Sequence, residues 1–370
     1  MDFAFDETQE DLRQAVRGFL ADAASESETR RAMQTATGYD GAVWRRMGAE
    51  LGLQGLAVPE EYGGAGAGPV EVGLVMEEMG RALLCAPFLS SSVLATTALV
   101  RGDDEGARAE LLPGLVSGDR VATLALTEDS ARWDREGVAL TARPAGDGWL
   151  LDGHKTFVLD GAAADTIITV AQAPEGIGLF LVEAGADGLT RTALPTLDPT
   201  RRQARLEYRE VAARRLRTAG DGWDLVAVVL RHGVAALAAE QVGVASRALD
   251  MAVEYAKVRH QFGRAIGSFQ AVKHLLADVL LEVESARAAA YAALLALQED
   301  EDVPAATSLA KAFCSEACLK ATESNIQVHG GIGFTWEHPA HLYFKRAKTS
   351  QLLFGDPDRH RELLAQAIGV

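Results

Sequence analysis

The amino-acid sequence predicts a mainly α-helical chain with one inserted β domain. Three observations carry that expectation. Up to about Gly118, apolar residues recur at helical spacing. From about Asp119 to Thr218 they gather into short β-branched runs. From Trp223 onward the helical spacing returns. The shifts set expected domains at 1–118 (N-terminal helices), 119–220 (a small β-barrel or sandwich) and 221–370 (a C-terminal four-helix bundle). A length of 370 residues with 48% hydrophobic content is enough for two or three domains with a sizeable core.

Each element has a local reason. Asp6-x-x-Gln9 reads as a capping box ahead of Leu12, Val16, Phe19 and Leu20, which share one helix face. Pro59–Gly68 is glycine-rich, but no strand precedes Gly64-x-Gly66-x-Gly68 and no Lys or Thr follows it. The nucleotide fingerprint fails, and a hinge before a helix from Pro69 through Arg81 is expected. Val121–Leu126, Trp149–Leu151, Thr166–Val170 and Gly178–Val182 read as strands, with turns expected at Gly146–Gly148 and Asp152–Gly153. Trp223–Ala245 is the most apolar segment. It carries Asp224, Arg231, His232 and Glu240, which suits a buried helix and not a membrane span. Leu275, Leu276, Val279, Leu280, Val283, Ala286, Ala290, Tyr291, Leu294 and Leu295 mark a long amphipathic helix.

Charge and cysteine usage narrow the function. A net charge of -16 argues against a nucleic-acid partner, while leaving room for a local basic pocket that takes a small anion. Cys85, Cys314 and Cys318 make neither a disulfide framework nor a zinc spacing, so no metal is expected. The N-terminal M-D-F-A-F-D-E-T-Q-E lacks the apolar run of a signal peptide, and cytoplasm is the expected compartment.

Two stretches carry a resemblance. Arg259-x-x-Phe262-Gly263, followed by Gln270, and Gln327-x-x-Gly330-Gly331-x-Gly333-Phe334 resemble the two flavin-clasping signatures of the acyl-CoA dehydrogenase family. Lys155 matches the lysine of that family's barrel strand, and the likeness runs from Phe3 to about Arg361. It implies the family's three-part fold, FAD as cofactor, an acyl-CoA substrate and an electron-transfer flavoprotein as acceptor. In that family each flavin lies across a subunit interface. The chain holding the flavin ring supplies the base, and its neighbour supplies the contacts to the adenine half. Arg259, Phe262, Gln270, Gln327, Gly330 and Gly331 match the neighbour's set. The residue types suit such contacts, with an arginine fork for pyrophosphate, an aromatic cover for a ring, and glycines where a Cβ would collide.

The ring-side pattern breaks. The family's common base falls at Phe354, which cannot take a proton, and the earlier alternative position falls at Gly233, beside His232 and Arg231. The barrel loop reads Thr127-Glu-Asp-Ser-Ala-Arg-Trp-Asp134 and lacks the family's Gly-Ser. Phe157 and Leu159 stand where Trp and Thr are usual, leaving Thr127 and Phe157 as the weaker flavin candidates. The resemblance therefore implies a subunit that completes a homologous, base-carrying partner's flavin site in an α2β2 tetramer. Thr196–Arg202 and Phe354–His360 are similar to chains of the group linked to steroid side-chain CoA thioesters. Two other readings stay open: a self-sufficient homotetramer using Asp356 or Glu240 as base, and a non-catalytic interaction subunit. His329, His338 and His341 read as a cluster at a helix start, not as a metal site.

Overall fold

The structure is a computed structural model that describes residues 5–370; Phe3, where the sequence likeness begins, lies outside the described residues. The elements run in the expected order. Helices α1 (Glu7–Ala23), α2 (Glu26–Ala32), α3 (Gly41–Leu51), α4 (Pro69–Ala82), α5 (Thr96–Arg101) and α6 (Glu105–Ser117) come first. Strands β1 (Ala122–Ala125), β2 (Thr141–Ala145), β3 (Gly148–Leu159), β4 (Thr166–Ala173), β5 (Gly176–Glu183), β6 (Leu189–Ala193) and β7 (Gln203–Arg215) follow. Then come α7 (Gly222–Val258), a two-strand hairpin of β8 (His260–Gln261) and β9 (Arg264–Ala265), α8 (Gln270–Glu299), α9 (Val303–His329), α10 (Ala340–Leu352) and α11 (Pro357–Ala367). Contacts group them into two compact units. One takes the chain through Arg30, Pro69–Leu84 and Val234–Val370, and the other takes Arg31–Gly68 and Cys85–Gly233.

In the second unit the strands close into a barrel. β2 pairs β3, β3 pairs β7, β7 pairs β5, β5 pairs β4, and β4 returns to β2, while β1 adds to β4 and β6 to β7. Closure resolves the choice between barrel and sandwich. The buried Tyr208 hydroxyl meets Thr169 Oγ1 at 2.9 Å, which satisfies both groups inside the core. One expected turn is corrected. Asp152–Gly153 lies inside β3, where the register to β7 shifts, because Gly153 takes φ 132 and lets the strand bulge and continue.

In the first unit the capping box at Asp6 and Gln9 opens α1 as expected, and Val16 and Leu20 are buried. α4 crosses α7 closely because Gly80 faces the Glu240 backbone and Gly243 faces the Glu77 backbone. A Cβ at either glycine would sit inside the opposing carbonyl. The stretch of α7 that is apolar and long enough to cross a membrane is 72% buried within the fold, as a core helix is. The α8 stripe is buried at Val279, Val283, Ala286, Ala290, Tyr291 and Leu294. Its first half differs from the expectation: Leu280 is exposed, because no described residue covers that end. A groove of about 410 Å³, lined by Leu249, Val253, Leu276 and Leu280 among others, runs there between α7 and α8.

Candidate cofactor-binding site

The hairpin after α7 turns at Phe262 and Gly263, with φ 53 and 80, as a two-residue hairpin turn requires. Glycine takes this conformation freely and phenylalanine does not. The Phe262 ring is nevertheless 92% exposed, edge-on to Phe269 at 6.2 Å, and the Arg264 guanidinium covers Phe269 at 4.0 Å. Arg259 is tied at both ends. Its N–H donates to the Tyr255 carbonyl at 2.9 Å, and its carbonyl accepts from Ile266 N–H at 2.8 Å. Gln270 opens α8. α9 stops at His329 because Gly330 takes φ 62 and ψ -139, and a short 3-10 turn follows through Phe334. The Tyr255 ring stacks on His329 at 4.3 Å, so the two signature stretches are neighbours in space.

Six sequence-predicted residues lie on these two neighbouring stretches. Arg259, Phe262, Gln270, Gln327, Gly330 and Gly331 are all exposed. Among the described residues, the side chains of Arg259, Gln270 and Gln327 make no hydrogen bond or ion pair. A Cβ on Gly330 or Gly331 would meet nothing within 4 Å. Free cationic and amide groups beside an open glycine turn fit a nucleotide's phosphates and ring edges.

The weaker candidates lie in the other unit and are already engaged. Thr127 is buried, its hydroxyl donates to the Thr156 carbonyl at 2.7 Å, and its own carbonyl accepts from Thr156 N–H at 2.8 Å. Phe157 is half-exposed at φ 55, where β3 shifts register between Lys155 and Val158. Lys155 is fully buried and donates to the Leu126 carbonyl and to Glu128 Oε1, both at 2.8 Å. Burial pushes its ammonium down to about 8, against the pull of Glu128. The loop after Thr127 spends its charges on its own surroundings, Asp129 on Arg205 and His154, and Arg132 on Asp134 and Glu136.

No carboxylate stands free as a base among the named candidates. Phe354 is buried at φ 62, and its carbonyl accepts from His360 Nε2 at 3.0 Å. Gly233 is buried on α7, and burial beside Arg101 pushes the adjoining His232 down to about 4. Asp356 caps α11, accepting from Arg359 N–H at 2.9 Å with Pro357 next to it. Glu240 is buried and bound by Arg346 Nη1 at 2.5 Å; Arg346 Nη2 also reaches the Leu84 carbonyl at 3.2 Å. Asp356 and Glu240 therefore have structural partners.

Comparison with known proteins settles the class of the chain. Family models for the acyl-CoA dehydrogenase N-terminal, middle and C-terminal domains match residues 6–119, 123–211 and 220–369. The chain belongs to the acyl-CoA dehydrogenase family. It is 36% identical to the acyl-CoA dehydrogenase IpdE2 of Mycolicibacterium smegmatis, covering 95% of this chain and 96% of that protein. Among solved structures it is similar to a variant of the steroid ACAD Tcur3481-Tcur3483 (33% identity, 98% of each chain, TM-score 0.89). It is also similar to the ChsE4-ChsE5 complex from Mycobacterium tuberculosis (31% identity, 100% of this chain and 99% of that one, TM-score 0.92). Acyl-CoA dehydrogenases are flavoprotein oxidoreductases whose cofactor is FAD.

In this member of the family, one buried residue with a structural role escaped the sequence. Lys311 is fully buried and donates to Ser315 Oγ and to the Ser350 and Gln351 carbonyls, each at 3.0 Å. It thus caps α10 just ahead of Phe354, although burial pushes its ammonium down to about 7. A lysine in an apolar helix stripe was the available signal. Among the described residues, no group of three or more His, Cys, Asp and Glu is placed to hold a metal ion. His329 ends a helix instead of starting one.

An acid sensitivity follows from His360. Burial, with Lys311 nearby, pushes its imidazole down to about 4 from an ordinary 6.5. The folded state keeps it neutral, so the unfolded chain takes the proton first as pH falls. Stability is lost from about pH 6.5 towards about pH 4, by on the order of 1–3 kcal/mol. Urea midpoints across that range should decline, and less steeply in His360→Asn; equal slopes would refute the assignment.

Proposed function

We propose that this chain is the base-lacking subunit of an FAD-dependent acyl-CoA dehydrogenase that assembles with a homologous, base-carrying chain as an α2β2 tetramer. One observation carries the proposal. The adenine-side residues are exposed and unspent, while the position of the family's base holds a buried phenylalanine. Arg259 offers a fixed fork for pyrophosphate, Gln270 and Gln327 offer donors and acceptors, Phe262 covers a ring, and Gly330–Gly331 let backbone approach. When bound, FAD supplies the hydride acceptor for α,β-dehydrogenation of a CoA thioester. The α-proton needs a carboxylate, which on this reading belongs to the partner. The uncovered α7–α8 groove, with Leu280 and Leu281 exposed, supports association through the helical unit.

The likeness to Tcur3481-Tcur3483 and ChsE4-ChsE5, each named as a pair, supports the two-chain assembly and suggests a steroid side chain as the acyl group. An electron-transfer flavoprotein as acceptor, a cytoplasmic setting and the domain division at 1–118, 119–220 and 221–370 belong to the same proposal. The test is expression alone and beside the homologous chain, measuring flavin per chain, native mass and acyl-CoA oxidation. Little flavin and no turnover alone, with both gained in the complex, is the expected result. Full turnover by the lone chain would end the proposal.

A further inference from the structure

Three rings from three segments pack together beside the glycine turn. Tyr255, from the last turns of α7, stacks on His329 at 4.3 Å and 26° between planes, and His338 packs against His329 at 4.2 Å with the planes tilted by 41°. Each ring is anchored to a stretch that the ligand face uses. The Tyr255 carbonyl holds the Arg259 N–H. His329 directly precedes Gly330, and its Nδ1 bonds the Asn325 carbonyl at 2.9 Å, which sets that nitrogen as the donor. A Cβ on Gly333 would press on the His329 Cβ, so the 3-10 turn is folded around this residue. His338 Nδ1 accepts from Ala340 N–H at 3.2 Å, ahead of α10.

We propose that this stack is a brace coupling the Arg259 hairpin to the Gly330–Gly331 turn, with neutral His329 as the positioning residue that keeps both halves of the nucleotide clasp in register. The nucleotide rests on the function proposed above; the brace is a property of the lone chain. His329 is buried and touches no ligand face itself, so it acts through the glycines.

The groups around it favour the neutral ring. Tyr255 faces it from α7 and His338 from the segment before α10, and its own helix supplies only the Asn325 carbonyl. Glu26 and Arg30 of α2 act on His338 with opposite sign, and His341 and Lys345 of α10 stand around Trp336. Burial holds His329 below its ordinary range, and burial together with His329 does the same for His338. A proton on His329 would set a cation against His338. The brace therefore holds above the ordinary histidine range and loosens as pH falls below it.

Hydrogen exchange on the lone chain tests this, comparing protection factors corrected for intrinsic rate at about pH 7.5 and about pH 5. In the wild type, protection of residues 259–266 and 327–335 should fall together by about tenfold. His329→Phe keeps a flat ring and cannot titrate, so its protection should stay level. A wild-type pH response in H329F, or two segments that respond independently, overturns the brace. Should H329F fail to fold, Tyr255→Ala carries the test: lost protection in Gly330–Phe334, remote in sequence, supports coupling, and unchanged protection there overturns it. Flavin retention by the co-expressed complex is read separately. A chain whose brace titrates but whose complex holds no flavin keeps this inference and removes the assembly proposal.

Discussion

Arg346→Ala is expected to cost the chain about 3–5 kcal/mol, the largest single loss of stability the structure indicates. Arg346 is 1% exposed and Glu240 2%, and their 2.5 Å ion pair joins α10 to α7 inside the helical unit. Truncating the arginine removes the charge that compensates a buried carboxylate, and it also deprives the Leu84 carbonyl of a donor. Glu240→Ala should be comparably harmful for the reciprocal reason. The double replacement Glu240→Leu with Arg346→Met removes both charges, keeps volume, and should recover most of the loss. Denaturant midpoints measure all four states of this cycle. An R346A chain within about 1 kcal/mol of wild type would show that the pair is not the buried cross-link described, and would return Glu240 to the field of candidate bases.

The second large effect concerns the assembled enzyme. Arg259→Ala should weaken flavin retention by the two-chain complex by about 10- to 100-fold, the loss of a charge-assisted hydrogen bond of about 1.5–3 kcal/mol. The melting temperature of the lone chain should not move, since that guanidinium has no partner among the described residues. Gly331→Leu sharpens the same point. Its side chain enters open space in the lone chain, which should fold unchanged, yet it occupies the approach that a nucleotide needs. Equilibrium dialysis of the complex against FAD, beside thermal melts of the lone chain, reads both quantities. Wild-type flavin affinity in both variants would place the nucleotide elsewhere.

Much of the fold was legible because the chain changes its apolar period from 3.6 to 2 and back, which few other architectures share. The exposure of Arg259, Phe262, Gln270, Gln327, Gly330 and Gly331 agrees with the sequence reading, since each stretch is short and made of residues that packing within this chain does not require. The lack of an ionisable side chain at Phe354 is read directly from the sequence. What failed was of two kinds. Asp152–Gly153 carries a strong turn signal, but β7 pairs across it, so the ladder overrode local preference. Glu240 looked available because Arg346 lies 106 residues away and no nearby residue announces the pairing. Asp356 could have been read better, since Asp before Pro is a helix-start signal in its own right.

The barrel bears on how copies of this protein can meet. Among the described residues, its circuit of five strands leaves two ladders open, β1, whose four residues are all buried, and β6, five residues long. Arg191 on β6 is drawn back onto the Gly161 and Ala164 carbonyls. Neither open ladder offers a long flat template for recruiting a foreign strand, so fibril-like edge growth finds no purchase on the barrel.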